Sequence, residues 1–260
     1  MRPGEILPIP STARPRQLKT QLAALGDGFY RYQFTNGVAT EGPDEVTQAV
    51  HDARARMILP WLDRLIGSSW STARCIDLAC NQGWFAIQLA LRGAQSVLGV
   101  DLRPEHVETA RAIARLGALD NVTFERGNLF EAAPDGLGTF DVTLFLGVLY
   151  HLDSPVEALR RAYALTRGVC VIETQVAQGG GRLDCLWGSG PARSGPGIAV
   201  LPSDEHHVES GRSVVLVPSR EALMDLVYAV GFQHVSVVGA PRDSFDQFAN
   251  GDRLVLLAYT

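Results

Sequence analysis

Residues 74–101 read RCIDLACNQGWFAIQLALRGAQSVLGVD. Residues 75–79 have the composition of a short buried strand, 80–83 of a tight turn, 84–91 show helical spacing, and 96–100 are apolar again. This is one strand–helix–strand unit, and parallel strands joined in this way bind ligands at their carboxyl ends. Two acids sit at those ends, Asp77 just before the turn and Asp101 closing the second strand. A carboxylate in the second position is placed to accept hydrogen bonds from both hydroxyls of a ribose. The unit is therefore read as a holder for a nucleoside-bearing cofactor.

The turn narrows the choice. A dinucleotide site wants G-x-G-x-x-G, because backbone must approach a pyrophosphate at a helix N-terminus. Here Ala79, Asn81 and Gly83 stand at the corresponding places, and no Gly-Lys-Ser/Thr follows. The segment DLACNQG instead resembles motif I of the class I S-adenosylmethionine-dependent methyltransferases, with Ala79 and Asn81 where that family usually has glycine. Asn81 tolerates a left-handed backbone, and Ala79 adds one methyl beside the ligand.

Composition sets the outer limits. A chain of 260 residues, 46% hydrophobic and 20% charged, can bury a full core and suits one large α/β domain with additions. No apolar run approaches 18 residues and the N-terminus lacks a hydrophobic signal core, so a cytoplasmic protein without membrane contact is expected. Cys75, Cys80, Cys170 and Cys185 show no C-x-x-C pair and are read as reduced thiols with no metal site. The net charge of −5 argues against a large nucleic-acid footprint.

Taken in order, residues 1–17 are Pro- and Arg-rich and read as a mobile tail, followed by a short helix over 18–25. Residues 29–40 alternate about Asn36-Gly37 as a hairpin does, and a helix is predicted from Pro43 to 66. Residues 1–70 thus form an extension expected to cover the site, ahead of a cofactor-binding domain over 71–260. After Asp101 the pattern predicts a helix over 104–116 and strands over 121–126 and 140–146. A helix over 153–167 and a strand over 169–172 follow, the strand ending in Glu173-Thr174-Gln175. Strands alternating with helices specify a doubly wound α/β sheet. A glycine-rich stretch, 176–211, breaks the pattern and is read as a lid inserted after strand five. Beyond it come an extended segment near 214–217, a helix from Arg220 capped by Ser219, and two last strands, for a Rossmann-like seven-stranded sheet.

The segment DVTLFLGVLYH, residues 141–151, the strand ending in Glu173-Thr174-Gln175 and the front hairpin are similar to the methyltransferase subgroup that contains the tRNA wobble-uridine modifying enzymes. The resemblance implies S-adenosylmethionine as cofactor. The turn would hold it through Asp77, Ala79, Asn81, Gly83 and Trp84, with Asp101 and Leu102 after strand two, Asn128 and Leu129 after strand three, and Leu146 and Gly147 after strand four. Tyr150 and His151 would face the acceptor, His151 as base or as a helix-start hydrogen-bonding group. Glu173 would polarise the acceptor or satisfy loop backbone, Trp84 would pack over the methionine portion or fill core, and Trp187 in the lid would stack on a flat acceptor. His206 and His207 are further candidate bases.

In the tRNA enzymes with a carboxylated sulfonium donor, a lysine and an arginine help hold the extra carboxylate. The single lysine here, Lys19, lies upstream of the hairpin, so ordinary S-adenosylmethionine is the expected donor. The acceptor expected on this reading is a small, ring-containing metabolite, methylated on O, N or C. The alternatives are a tRNA wobble-uridine enzyme, with Arg14, Arg16, Arg31 and Arg54 as a joint basic surface, and a non-catalytic S-adenosylmethionine-binding protein.

Overall fold

The computed structural model describes all residues except 1, 27, 178–181, 186–187, 192–197, 203–213 and 242–244, and leaves the side chains of 182–185, 188–191, 199–202 and 214–215 undescribed. Two compact units divide the chain, Met1–Leu129 and Phe130–Thr260.

The first unit contains α1 (Pro15–Ala23), α2 (Glu45–Ile66), β1 (Arg74–Leu78), α3 (Trp84–Leu91), β2 (Ser96–Asp101), α4 (Pro104–Leu116) and β3 (Val122–Arg126). Its strands are parallel in the order β1-β2-β3, with Asp77 opposite Gly99 and Asp101 opposite Arg126. The helix predicted from Pro43 begins at Glu45. The Asp44 carboxylate caps it by accepting from Val46 and Thr47 N–H, both at 3.0 Å. Pro104 opens α4 as predicted, because a proline at the first helical position gives up no needed donor. Glycine is required at two places around one ring: a Cβ on Gly83 or on Gly99 would run into Phe124. The small residues let the β3 aromatic lie flat against the β1–α3 turn and β2.

The tail expected to be mobile is held. Ile9 bridges to Phe34 and is buried. The Gln88 amide brackets Leu7, accepting its N–H at 3.0 Å and donating to its carbonyl at 2.9 Å. Arg92 donates to the Glu5 carbonyl at 2.6 Å and to Asp63 at 2.8 Å. None of these partners is near the tail in sequence, so local composition gave no sign of them.

The second unit contains α5 (Pro134–Leu137), β4 (Phe140–Leu146), α6 (Pro155–Leu165), β5 (Thr166–Gln175), β6 (Arg182–Cys185), β7 (Gly188–Pro191), β8 (Ile198–Pro202), β9 (Val214–Pro218), α7 (Arg220–Ala229), β10 (His234–Val238), α8 (Asp246–Ala249) and β11 (Arg253–Tyr259). β4 and β5 are parallel, β11 is antiparallel to β5, and β10 is antiparallel to β11. The seven-stranded sheet has the order β10-β11-β5-β4-β1-β2-β3. The sheet is thus mixed, β11 running antiparallel to both of its neighbours. Ser219 caps α7 as expected, accepting from Ala222 N–H at 3.2 Å.

The stretch read as an irregular lid carries order among its described residues. β6 pairs with β7, and β8 with β9, as two short antiparallel ribbons. The short apolar run at 198–202, IAVLP, has a strand's composition, and the glycine density around it masked that signal. Asp204, Glu205, His206, His207 and Trp187 lie outside the described residues.

Candidate functional site

The turn after β1 is built on left-handed backbone. Ala79 has φ 58°, Asn81 φ 52° and Gly83 φ 81°. An alanine there is strained relative to glycine, so the two replaced motif positions keep the glycine-type conformation. The Asn81 side chain contributes by accepting from Gln82 N–H at 2.7 Å.

Asp101 turns into this loop. Its Oδ2 accepts the Asn81 N–H at 2.7 Å and its Oδ1 the Arg103 N–H at 3.0 Å, and the residue is buried. The two bonds occupy one acceptor site on each oxygen. A carboxylate offers about four lone-pair sites, so each oxygen keeps a further site for a hydroxyl donor. A buried, oriented carboxylate with spare acceptor sites, beside a turn of left-handed backbone, fits a ribose-bearing ligand.

Asp77 is buried deeper. Burial pushes its carboxyl up to about 8; the Ala86 backbone N–H opposes this and the neighbouring Asp101 adds to it. The Cys80 thiol is likewise pushed up by burial, with Asp77 and Asp101 adding to the effect, so it stays protonated. Cys75, Cys80 and Cys170 are all buried. Leu102 is exposed, Asn128 half-buried and Leu129 buried at the ends of β2 and β3.

Sequence reasoning missed Gln82. Its Oε1 accepts the Phe29 N–H at 2.8 Å, and its backbone carbonyl accepts the Tyr32 hydroxyl. Trp84 points the same way, its indole N–H donating to the Arg31 carbonyl at 3.2 Å with Tyr30 stacked alongside. A cavity of about 50 Å³ borders Trp84, Tyr30 and His51, far below the several hundred Å³ of a usual ligand pocket. The hairpin is therefore fastened to the residues that follow Asn81.

In the second unit, Leu146 pairs with Glu173, and the left-handed Gly147 donates its N–H to the Glu173 carbonyl at 2.9 Å. Glu173 is fully buried and accepts from Arg253 Nη1 at 2.7 Å, while Arg253 Nη2 donates to the Tyr150 hydroxyl at 3.0 Å. The register explains the meeting. Val255 lies opposite Glu173, so Arg253 is its diagonal neighbour on the same sheet face. Burial alone would lower the Arg253 guanidinium, but Tyr150 and Glu173 outweigh it and hold it charged, above its ordinary range. The His151 ring is half-buried, tilted against Tyr150 at 4.1 Å between centroids. Arg253 is the second residue the sequence did not single out; its only trace there is a cation opening the apolar run RLVLLAY.

Comparison with known proteins places this geometry. Residues 70–182 match the family model described as a methyltransferase domain. In fold the chain is similar to the N-terminal domain of EvdMO1, crystallised in the presence of SAH and D-fucose, at 20% identity and TM-score 0.68, covering 95% of this chain and 97% of that one. It is also similar to magnesium protoporphyrin IX methyltransferase of Synechocystis PCC 6803, at 14% identity and TM-score 0.55, covering 84% and 85%. Fold and motifs together define a class I S-adenosylmethionine-dependent methyltransferase. Within that class the chain resembles the tRNA wobble-uridine enzymes. The tRNA U34 carboxymethyltransferase of Idiomarina loihiensis is 29% identical over 202 residues, 75% of this chain and 55% of that protein. That of Saccharophagus degradans is 32% identical over 176 residues, 67% and 49%. The chain spans about half the length of these relatives. Their names set aside the expectation of a small ring-containing metabolite as acceptor and favour the tRNA alternative. Among the described residues no helix is long and apolar enough to cross a membrane.

Proposed function

We propose that this chain is an S-adenosylmethionine-dependent methyltransferase acting on the wobble uridine of tRNA. The likeness to tRNA U34 carboxymethyltransferases carries the choice of acceptor. The oriented, buried carboxylate of Asp101 carries the choice of cofactor. Asp101 would hold the ribose hydroxyls, the Ala79–Asn81 backbone would cup the amino-acid portion, and Asn128 with Leu129 would border the adenine. Leu102, Leu146 and Gly147 complete the proposed contacts. When bound, the sulfonium supplies a methyl group activated for in-line displacement, so the protein's share is chiefly alignment.

Toward the acceptor, Glu173 has its charge committed to Arg253 and serves to hold that cation in place. Because Tyr150 accepts from Arg253, its own hydroxyl proton remains available to donate. His151 is the group whose ordinary range suits proton removal near neutral pH. Arg14, Arg16, Lys19 and Arg31 are exposed and suit phosphate contacts, whereas Arg54 is buried and drops out of the basic surface expected from sequence.

The test is transfer of labelled methyl from S-adenosylmethionine to an unmodified tRNA transcript, with the product located by nuclease digestion and mass spectrometry. A parallel arm with the carboxylated donor identifies the group transferred. Label confined to the wobble uridine is expected, together with tRNA affinity that falls steeply with salt. Absence of label in both arms would overturn the reading. S-adenosylhomocysteine binding that Asp101→Ala leaves unchanged would overturn the cofactor site.

A further inference from the structure

His106 stands in the first turn of α4 and faces the same carboxylate from the side opposite the motif turn's N–H. Its Nδ1 is buried, makes no hydrogen bond, and lies 3.8 Å from Asp101 Oδ1. That separation exceeds a hydrogen bond by roughly 0.6–1 Å. Arg103 reaches the same oxygen at 3.5 Å with a side chain that is half exposed. A buried ring nitrogen with no partner is an uncommon feature of a folded protein and calls for an explanation.

We propose that His106 is a positioning residue for the cofactor's ribose: when the free site on Asp101 Oδ2 takes up the ribose, the imidazole closes the remaining distance and donates Nδ1–H to the free site on Asp101 Oδ1. The inference rests on the cofactor reading given above. A carboxylate held only by Asn81 N–H and Arg103 N–H can still tilt about the line between them, and a third donor on Oδ1 removes that freedom. Burial first, and Arg103 second, hold His106 below the usual imidazole range, against Asp101 and Glu105, so the ring is neutral and carries one proton to donate. A bond formed together with the ribose contact adds its free energy to affinity rather than to fold stability.

Calorimetric titration of S-adenosylhomocysteine onto wild type, His106→Ala and His106→Asn, with thermal unfolding of each ligand-free protein, tests this. We expect His106→Ala to bind roughly tenfold more weakly, the range of one hydrogen bond to a charged group, while unfolding at the wild-type temperature. His106→Asn, which restores a short donor, should recover to within about threefold of wild type. Three results would overturn the proposal: His106→Ala binding like wild type, His106→Asn binding as weakly as His106→Ala, or a loss of ligand-free stability that matches the loss of affinity. Wild type failing to bind at all would be a different failure, that of the cofactor site itself, and would take this inference with it.

Discussion

Arg253 donates to the Tyr150 hydroxyl at 3.0 Å across 103 residues of chain, and the same guanidinium pairs with Glu173 at 2.7 Å. Both partners of the ion pair are buried, with side-chain exposures of 1% and 0%. Replacing Arg253 by Met removes the buried cation paired with the Glu173 carboxylate, at a cost of about 3–5 kcal/mol. The doubly neutral Arg253→Met/Glu173→Gln protein should regain more than half of that. Urea denaturation of the two variants and wild type measures both; a single-variant cost under about 1 kcal/mol would contradict the assigned pairing.

Asp77 gives stability a pH dependence of unusual sign. Its folded carboxyl is pushed up to about 8, above the 3.8 of a free aspartate, so in that window the native state holds a proton that the unfolded chain has lost. Stability therefore falls as pH rises from about 4 to about 8, by up to about 1.4 kcal/mol per pH unit, and levels off above. Asp77→Asn lacks the titrating group. The wild-type-minus-variant difference in unfolding free energy should slope downward between about pH 5 and about pH 8, and parallel curves would refute the buried-acid account.

Phe124 makes Gly83 and Gly99 obligatory. Gly83→Ala adds a methyl into the ring as well as left-handed strain at φ 81°, and should cost about 2–4 kcal/mol. Gly99→Ala meets the ring without the strain and should cost about 1–3 kcal/mol. Trimming the ring with Phe124→Leu in the Gly99→Ala background should return part of the loss. If thermal unfolding shows the double variant to be the sum of the singles, steric conflict is not the cause.

Arg92 is the post to which the N-terminal residues are tied. Arg92→Ala frees the Glu5 carbonyl and leaves the Asp63 carboxylate without its partner, a loss of about 2–4 kcal/mol. Limited trypsinolysis at Arg16 and Lys19 should accelerate before the rest of the chain is cut. An unchanged cleavage rate would mean that these contacts do not hold the tail.

What could be read directly from the sequence was local. The β1–turn–α3–β2 unit was visible because its acids, turn formers and apolar runs fall within 28 consecutive residues, and the strand pattern on either side followed the same periodicities. The Arg253–Glu173–Tyr150 cluster was not visible, since its members sit 80 and 103 residues apart and meet only through the β5–β11 register. Gln82 was hidden for another reason: a polar residue in a turn looks like ordinary turn composition, and only the fold shows its amide committed to Phe29, 53 residues earlier. The ribbons at 182–202 were obscured by glycine. The acceptor lay beyond local reading, since no motif of the chain spells it and only the names of the relatives point to it.

The hydrogen bonds from Phe29 and Tyr32 to Gln82, and from Trp84 to Arg31, have a mechanical consequence. A flap hinged on its own loop could open while the nucleoside stayed seated. This hairpin instead shares its anchors with the residues next to Asn81, so lifting it tugs on the backbone that Asp101 grips. Under the proposed function, access for the tRNA and retention of the donor would be linked through Gln82 and Trp84.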